Sequence, residues 1–267
     1  MPRFPLRNLI VAAVAVLLPA AAFARDYGVS ARATALGEAM TAIGMGVSGL
    51  NYNPAALAQG IQYSVNAGYG FDNVPGAHDF HVALADSQTN STVAMGASYT
   101  LAKSTVSGAS FLSHDVRAGL AAHFGGGGAD VAIGGGFRYI KASGDVLSLS
   151  APTIDLGLLL TVAQRFHLGV AGMNLVSVSG NYAPRLLNLG AGFSSSMVNV
   201  GVDVVFDFDS KGSMVVSPAA GLEFVAGGAL AIRAGFTLDR VTDAKRVCGG
   251  IGYISQYVGA DIGYSHD

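Results

Sequence analysis

The chain has 267 residues, a formal net charge of -2 and a mean hydropathy of +0.46. Only 12% of its residues are charged, about half the share of a typical water-soluble domain, and the negative balance argues against nucleic acid as a partner. Cys248 is the only cysteine, which excludes an intrachain disulfide.

The N-terminus has the pattern of an export signal. Arg3 and Arg7, with no acidic residue, come before an apolar run from Leu9 to Phe23, and Ala22-Phe23-Ala24 forms a small-x-small cleavage site. This pattern predicts a secretory signal peptide over residues 1–24, which is cleaved during export. The alternative is a retained anchor helix, although the apolar run is short for a membrane span.

In residues 25–60, apolar and polar residues alternate too little to predict a strand. Near its end this segment contains an unusual polar motif, Asn51-Tyr52-Asn53-Pro54. Asparagine side chains bond to nearby backbone in turns, and proline fixes one backbone dihedral. The motif therefore predicts a capped turn that acts as a structural latch between this segment and the first strand. The competing hypothesis is that Asn51 and Asn53 bind a ligand directly.

From Ile61 onward the apolar residues recur with period two, which is typical of strands with two different faces. The clearest case is Val198–Phe208, where valines and phenylalanines alternate with Asp203 and Asp207. We count thirteen such segments: 61–71, 77–86, 91–102, 112–124, 129–142, 150–163, 165–173, 184–194, 197–208, 215–226, 229–239, 246–254 and 257–265.

The length of these segments points to a membrane. Most have roughly nine to fourteen residues, whereas strands in soluble domains usually have five or six and a tilted strand that crosses a bilayer needs about 9–11. Residues 61–267 are therefore predicted to form an all-β fold, a transmembrane antiparallel β-barrel of about 13–14 strands. With the export signal, this places the protein in the outer membrane of a Gram-negative-type cell.

The connections between the segments also alternate in length. Those at 103–111, 143–150 and 176–184 are expected to be longer loops, and the intervening ones are short turns. Because outer-membrane barrels have short periplasmic turns and longer outer loops, the first strand is expected to rise from the periplasmic side.

Many glycines occupy the same alternating positions as the polar residues, which are expected to face the inside of the barrel. Gly134, Gly201 and Gly221 are among them. Glycine weakens a strand unless another backbone or a ligand must come close to it. These glycines therefore predict that something fills the lumen, and residues 25–60 are the segment available for an N-terminal plug.

Charged side chains share the inward parity as well. They are predicted to form a lumen polar network, either as salt bridges from wall to plug or as a polar constriction that orients the head group of a solute. The network comprises Arg117, Arg138, Asp155, Asp203, Glu223, Arg233 and Asp261.

The sequence offers little support for catalysis. The six histidines lack metal-ligand spacing, no G-x-S-x-G elbow occurs, and the glycine run Gly125–Gly128 lacks the lysine of a phosphate loop. We therefore predict no enzyme activity, no metal site and no cofactor.

The region Ala31–Ala58, "ARATALGEAMTAIGMGVSGLNYNPAALA", resembles the N-terminal signature of the long-chain fatty acid transporter (FadL/TodX) superfamily. The matching residues are Leu36-Gly37, Ala39, Ala42 and the run Tyr52-Asn53-Pro54-Ala55. Later pieces resemble the PorV-like branch of that superfamily: "IDLGLLL", "LGVAGMNL", "PRLLNLGAGF" and "LAIRAGF".

The resemblance implies a fourteen-stranded barrel with a plugged lumen, one strand more than the alternation supplies. It also implies passive passage of hydrophobic or amphipathic, fatty-acid-like small molecules across the outer membrane. The alternative is that of PorV-like relatives, which are outer-membrane partners of a secretion system and bind protein. The expected partners are outer-membrane lipid, a hydrophobic solute or secreted proteins, and the barrel-assembly machinery, with no nucleic acid.

Overall fold

The computed structural model describes residues 29–73, 76–90, 92–106, 109–126, 128–144, 148–178, 182–255 and 257–267. The predicted signal peptide, residues 1–24, lies outside the described residues, as does the start of the predicted plug segment. In the described part of the chain, no helix is long and apolar enough to cross a lipid bilayer.

The described residues form thirteen strands in one antiparallel sheet, in which each strand pairs with its neighbour in sequence. The prediction of an all-β antiparallel fold with about 13–14 strands is confirmed. The strands are β1 Tyr63–Asp72, β2 Ala77–Asp86, β3 Val93–Val106, β4 Ala109–Gly126, β5 Ala129–Gly144, β6 Ser148–Val162, β7 Phe166–Met173, β8 Leu186–Ser194, β9 Val198–Asp207, β10 Val215–Ala226, β11 Leu230–Asp239, β12 Ala244–Ile254 and β13 Gly259–His266.

The two faces of the sheet differ as the alternation predicts. On β9, Val202 is 49% exposed whereas its neighbour Asp203 is 2% exposed. On β11, Ile232 is 50% exposed and Arg233 only 3%. Because side chains alternate across a strand, the apolar residues share the outer face and the charged residues share the inner face.

Two of the expected long loops are strand instead. β3 continues to Val106 and β4 begins at Ala109, and β5 likewise continues to Gly144 before β6 begins at Ser148. Backbone pairing extends across these stretches, since Val106 is paired with Ala109 and Ser143 with Ser148. The wall is therefore taller at β3–β6. Of the three connections expected to be long, the one between β7 and β8 is a connection in the structure.

Residues 29–60, called the inner segment below, lie against the inner face. They contain two short α-helices, α1 Ala31–Ala35 and α2 Gly49–Tyr52, and two 3-10 turns at Gly46–Ser48 and Pro54–Ala58. Ser30 caps the N-terminus of helix α1, because its side-chain oxygen accepts a hydrogen bond from the Ala33 amide at 3.2 Å.

Glycines on many strands contact the inner segment, which shows that the wall curves around it. A methyl group added at Gly134 of β5 would lie 2.3 Å from the Pro54 carbonyl carbon, and one added at Gly263 of β13 would lie 2.2 Å from the Ala31 carbonyl oxygen. Only glycine allows two backbones to come this close. Similar contacts occur at Gly169, Gly190, Gly201, Gly221, Gly235 and Gly250.

Candidate functional site

Asn53 is the central residue of the polar motif and is completely buried. Its side-chain nitrogen donates to the Thr41 carbonyl at 2.9 Å and to the Leu158 carbonyl on β6 at 3.1 Å. Its side-chain oxygen accepts from the Ala55 amide at 3.1 Å. The amide therefore joins two parts of the inner segment to the wall and also caps the turn that begins at Pro54.

The wall is shaped to receive this motif. A methyl group at Gly157 of β6 would lie 2.0 Å from the Asn53 side-chain oxygen, so a residue with a side chain there would displace the amide. The Tyr52 carbonyl accepts a hydrogen bond from the Asn188 side chain of β8 at 3.3 Å. The motif thus contacts two strands of the wall, β6 and β8, and its role as a latch stays a prediction.

Asn51 and Tyr52 face a different part of the wall. They line a cavity together with Asn66 of β1, His81 of β2 and Thr100 of β3. This cavity lies between the inner segment and the first three strands. The motif therefore presents Asn53 to the packed interior and Asn51 to open space.

Arg117 and Arg138 belong to a buried charge network on β4–β6. The two arginines are directly paired on neighbouring strands, so like charges face each other. Asp115 lies between them: its carboxylate accepts from the Arg138 Nη2 at 2.6 Å and from the Arg117 Nε at 3.3 Å. Arg117 also donates to the Leu50 carbonyl of the inner segment at 3.0 Å. We call these residues, with Asp155 and Asn174, the β4–β6 network.

Asn174 connects this network to the β7–β8 connection. Its side-chain oxygen accepts from Arg138 at 2.9 Å, and its backbone amide donates to Asp155 at 2.6 Å. Farther along the connection, the Tyr182 hydroxyl donates to Ser113 at 2.6 Å. The described parts of this connection therefore fold back onto the end of β4–β6. They pack there in a cluster with Phe111, Ile140, Ala142, Val178 and Ala183.

Glu223, Arg233 and Asp261 belong to a second charge network, on β9–β13. Arg233 donates to Glu223 at 2.5 Å and to Asp261 at 2.6 Å. The inner segment takes part directly, because Arg32 donates to both oxygens of Glu223 at 3.0 Å. Asn199 of β9 completes the group with a bond to Glu223 at 2.7 Å. We call these five residues the β9–β13 network.

Glycine makes the contact between Arg233 and Asp261 possible. β12 separates their strands, and the ion pair passes over Gly252, where an added methyl group would lie 2.0 Å from the Asp261 carboxylate and 2.6 Å from the Arg233 guanidinium. Any side chain at this position would break the pair.

Asp203 stands apart from both networks. Its carboxylate accepts a hydrogen bond from the Thr41 amide at 2.7 Å, and among the described residues no cationic side chain is paired with it. The seven charged residues predicted as one network therefore form two groups plus an isolated aspartate. Their predicted role toward a solute stays a prediction.

Four members of the networks were not expected from the sequence: Arg32, Asp115, Asn174 and Asn199. Asp115 has the same parity as Arg117, two residues away, so the alternation could have identified it. Asn174 carries no such signal because it lies in a connection, in the left-handed backbone region with a φ of 54°.

Comparison with known proteins supports the fold. No family model matches this sequence, and no curated protein matches it. Among solved structures, the chain is similar to one titled "CymD monoaromatic hydrocarbon channel", with 13% identity and a TM-score of 0.59. The alignment covers 89% of this chain and 92% of that one. At this identity the likeness shows a shared barrel fold, which agrees with the thirteen-stranded sheet.

Proposed function

We propose that this protein is an outer-membrane barrel for the passive passage of hydrophobic or amphipathic small molecules. The observation that carries the proposal is the two-faced wall, apolar outside and polar inside, on a fold shared with a structure titled as a hydrocarbon channel. Fatty-acid-like solutes are the finer part of the proposal, and it rests on the sequence resemblance.

The outer face supports the membrane location. Val202, Leu222 and Ile232 are each about half exposed in the isolated chain. Contact with lipid would remove this apolar surface from water, which stabilises by about 25 cal/mol per Å². Outer-membrane lipid and the barrel-assembly machinery are therefore proposed partners.

The inner segment is proposed to act as the plug. Leu36, Met40 and Leu57 are fully buried, and the segment contacts glycines on many strands. We expect a solute to pass when this segment moves. Passage would then consist of binding between plug and wall, followed by displacement of the plug, and it would need no energy source.

A reversible disulfide tests this mechanism. A methyl group at Gly192 would lie 3.5 Å from the Ala42 Cβ and 2.3 Å from the Ile43 Cγ2. The first distance suits a disulfide, and Ile43→Ala removes the obstruction. We therefore suggest Ala42→Cys with Gly192→Cys in an Ile43→Ala, Cys248→Ser background, expressed in Gram-negative cells whose outer membrane limits hydrocarbon uptake.

Oxidation should reduce the uptake of labelled toluene, and a reductant should restore it. The matched control lacks Gly192→Cys and receives the same oxidant. Undiminished uptake with the disulfide formed would show that passage does not need displacement of the plug. No uptake above that of cells without the protein would contradict the proposed function itself.

The role of a secretion partner stays a prediction. A filled, glycine-lined lumen and short connections are features that this hypothesis also expects. We favour passage because the similar solved structure is titled as a channel.

A further inference from the structure

The outer face of the wall carries a row of basic residues near the end where β3 meets β4. His78 of β2 is paired with Lys103 of β3, and His114 of β4 is paired with Lys141 of β5. Each of the four has the parity of the exposed apolar residues on its own strand, so its side chain points away from the inner segment. We call these four residues the basic row.

The basic row is continuous across neighbouring strands. Lys103 is paired with Leu112 of β4, two residues from His114, so His114 lies between the two lysines. The strands of Lys103 and Lys141 are two strand spacings apart, about 10 Å, and the offset along them is about 7 Å. Because lysine side chains are long and flexible, both ammonium groups can reach one anion placed over His114.

Each histidine of the row contacts a tyrosine of the preceding strand. The Tyr69 hydroxyl lies 2.5 Å from the His78 Nδ1, and the Tyr99 hydroxyl lies 2.8 Å from the His114 Nδ1. A hydroxyl that donates to Nδ1 leaves the ring hydrogen on Nε2, from which it can be donated to an anion. Tyrosine is enriched where a barrel wall meets lipid head groups, so the row lies at the level of these groups.

The two lysines of the row lack acidic partners. Neither Lys103 nor Lys141 makes an ion pair with the residues that the structure describes. Lys211, in the β9–β10 connection at the same end of the wall, differs because it is paired with Asp243 at 2.9 Å. An anion from outside the chain is therefore needed to balance the charge of the basic row.

The outer face is apolar farther along the same strands. The exposed side chains there are Val82 of β2, Met95 of β3, Leu120 of β4 and Ile133 of β5. An anion that carries acyl chains can contact both regions, with its head group at the basic row and its chains against the apolar side chains. A free inorganic anion gains the first contact alone.

We infer that the basic row binds the head group of an anionic, phosphate-bearing lipid in the leaflet around this end of the wall. Lysine binds phosphate as a point charge, and basic side chains near an anionic lipid surface add to the attraction. The strand direction expected from the sequence makes this the outer leaflet. The inference rests on the membrane location in the proposed function and is independent of solute passage.

The test uses quenching of tryptophan fluorescence by brominated lipids. The chain contains no tryptophan, so Phe80→Trp, beside the row on the outer face of β2, supplies a single signal. The full chain with this reporter is folded into phosphatidylcholine vesicles that contain brominated phosphatidic acid or brominated diacylglycerol, two lipids that differ by one phosphate. Quenching gives the association constant of each lipid at the reporter relative to phosphatidylcholine.

Phosphatidic acid should be preferred over diacylglycerol at the Phe80→Trp reporter. Lys103→Gln and Lys141→Gln should each lower its relative association constant by about fivefold, and the double variant should lower it further. Lys211→Gln is the matched control, an exposed lysine at the same end of the wall whose loss should leave the constant unchanged. A second reporter, Phe206→Trp on the outer face of β9, should show a weaker preference.

Equal constants for the two lipids would overturn the inference, and so would a preference that survives the loss of both lysines. Inorganic phosphate, compared with chloride at equal ionic strength, should leave the quenching unchanged. Displacement of the lipid by inorganic phosphate would overturn the assignment to a lipid. Heat-modifiable gel mobility confirms that each variant is folded, and the single variants serve if the double variant is not.

Toluene uptake by cells separates this inference from the proposed function. If cells take up toluene but the reporter shows no preference for phosphatidic acid, the inference fails and the proposed function stands. If the preference is present but no toluene enters cells, the inference is supported and the proposed passage fails.

Discussion

The two charge networks use the same side-chain chemistry for different tasks. In the β4–β6 network, Asp115 joins Arg117 to Arg138, and the inner segment contributes a backbone group, the Leu50 carbonyl. In the β9–β13 network, the inner segment contributes a charged side chain, since Arg32 pairs with Glu223. The first network therefore joins neighbouring strands of the wall, and the second joins the inner segment to the wall.

The difference shows that a buried ion pair has to be judged by what it connects. The Asp115 carboxylate lies between two arginines of neighbouring strands that would otherwise repel each other, so its loss should damage the wall. Glu223 keeps Arg233 and Asn199 when Arg32 is removed, so that loss should free the inner segment and spare the wall.

The largest effect is expected for Asp115→Ala. This change leaves two buried guanidinium groups without the carboxylate that they share, and breaking a buried ion pair typically costs about 3–5 kcal/mol. The free energy of unfolding is measured by urea titration of the barrel in lipid vesicles. The double variant Asp115→Leu, Arg138→Met is the control and should cost less, because it also removes one of the two facing charges. A loss below about 1 kcal/mol in the single variant would show that the network does not hold the wall.

The second-largest effect is expected for Asn53→Ala. It removes the donor for the Thr41 and Leu158 carbonyls and the acceptor for the Ala55 amide, at about 1–3 kcal/mol for each group left unpaired. If Asn53 is a latch, the variant should assemble poorly, seen as altered heat-modifiable gel mobility, or leak ions in single-channel recordings. Normal assembly without a leak, together with the loss of one solute class, would make the motif a ligand site instead.

Arg32→Met should have a smaller and more local effect. It removes two hydrogen bonds to a carboxylate, but the Arg32 side chain is partly exposed, so we expect a loss of about 1–2 kcal/mol. Proteinase K should then cut the start of the inner segment while the wall stays folded. Arg32→Lys, which keeps the charge, should restore part of the protection. Equal loss of wall stability in Arg32→Met and Asp115→Ala would erase the distinction between the networks.

The smallest effect is expected for the exposed pair of Arg185 and Asp209, between β8 and the β9–β10 connection. Arg185 donates to Asp209 at 2.7 Å, and this hydrogen bond lowers the pKa of the Asp209 carboxyl. Because the Arg185 side chain is 48% exposed, solvent screens the pair and Asp209→Asn should cost less than about 1 kcal/mol.

The pH dependence of that pair has a definite sign. A lowered pKa in the folded protein means that the contribution is present above the pKa of the unfolded chain, about 3.9, and is lost as the pH falls through the folded value. The difference between wild type and Asp209→Asn should therefore vanish in acid. A difference that grows in acid would contradict this assignment.

The faces of the wall could be predicted from the sequence because side-chain direction in a strand repeats every two residues. Asp203, Glu223 and Arg233 were expected to face inward, and all three are buried. Their height on the wall could not be predicted, since it depends on the register between strands. Glu223 is paired with Arg233, but on β9 it is paired with Asn199, four residues from Asp203. That offset is about 13 Å along the strand, and it separates Asp203 from the network.

The sequence by itself determined the strand number and the two faces, because both follow from local periodicity along the chain. The tertiary structure decided the partners. Asn174 reaches Arg138 only because the β7–β8 connection folds back onto the wall, and Arg32 reaches Glu223 across 191 residues of sequence. These contacts depend on how distant segments meet in space, which no local pattern encodes.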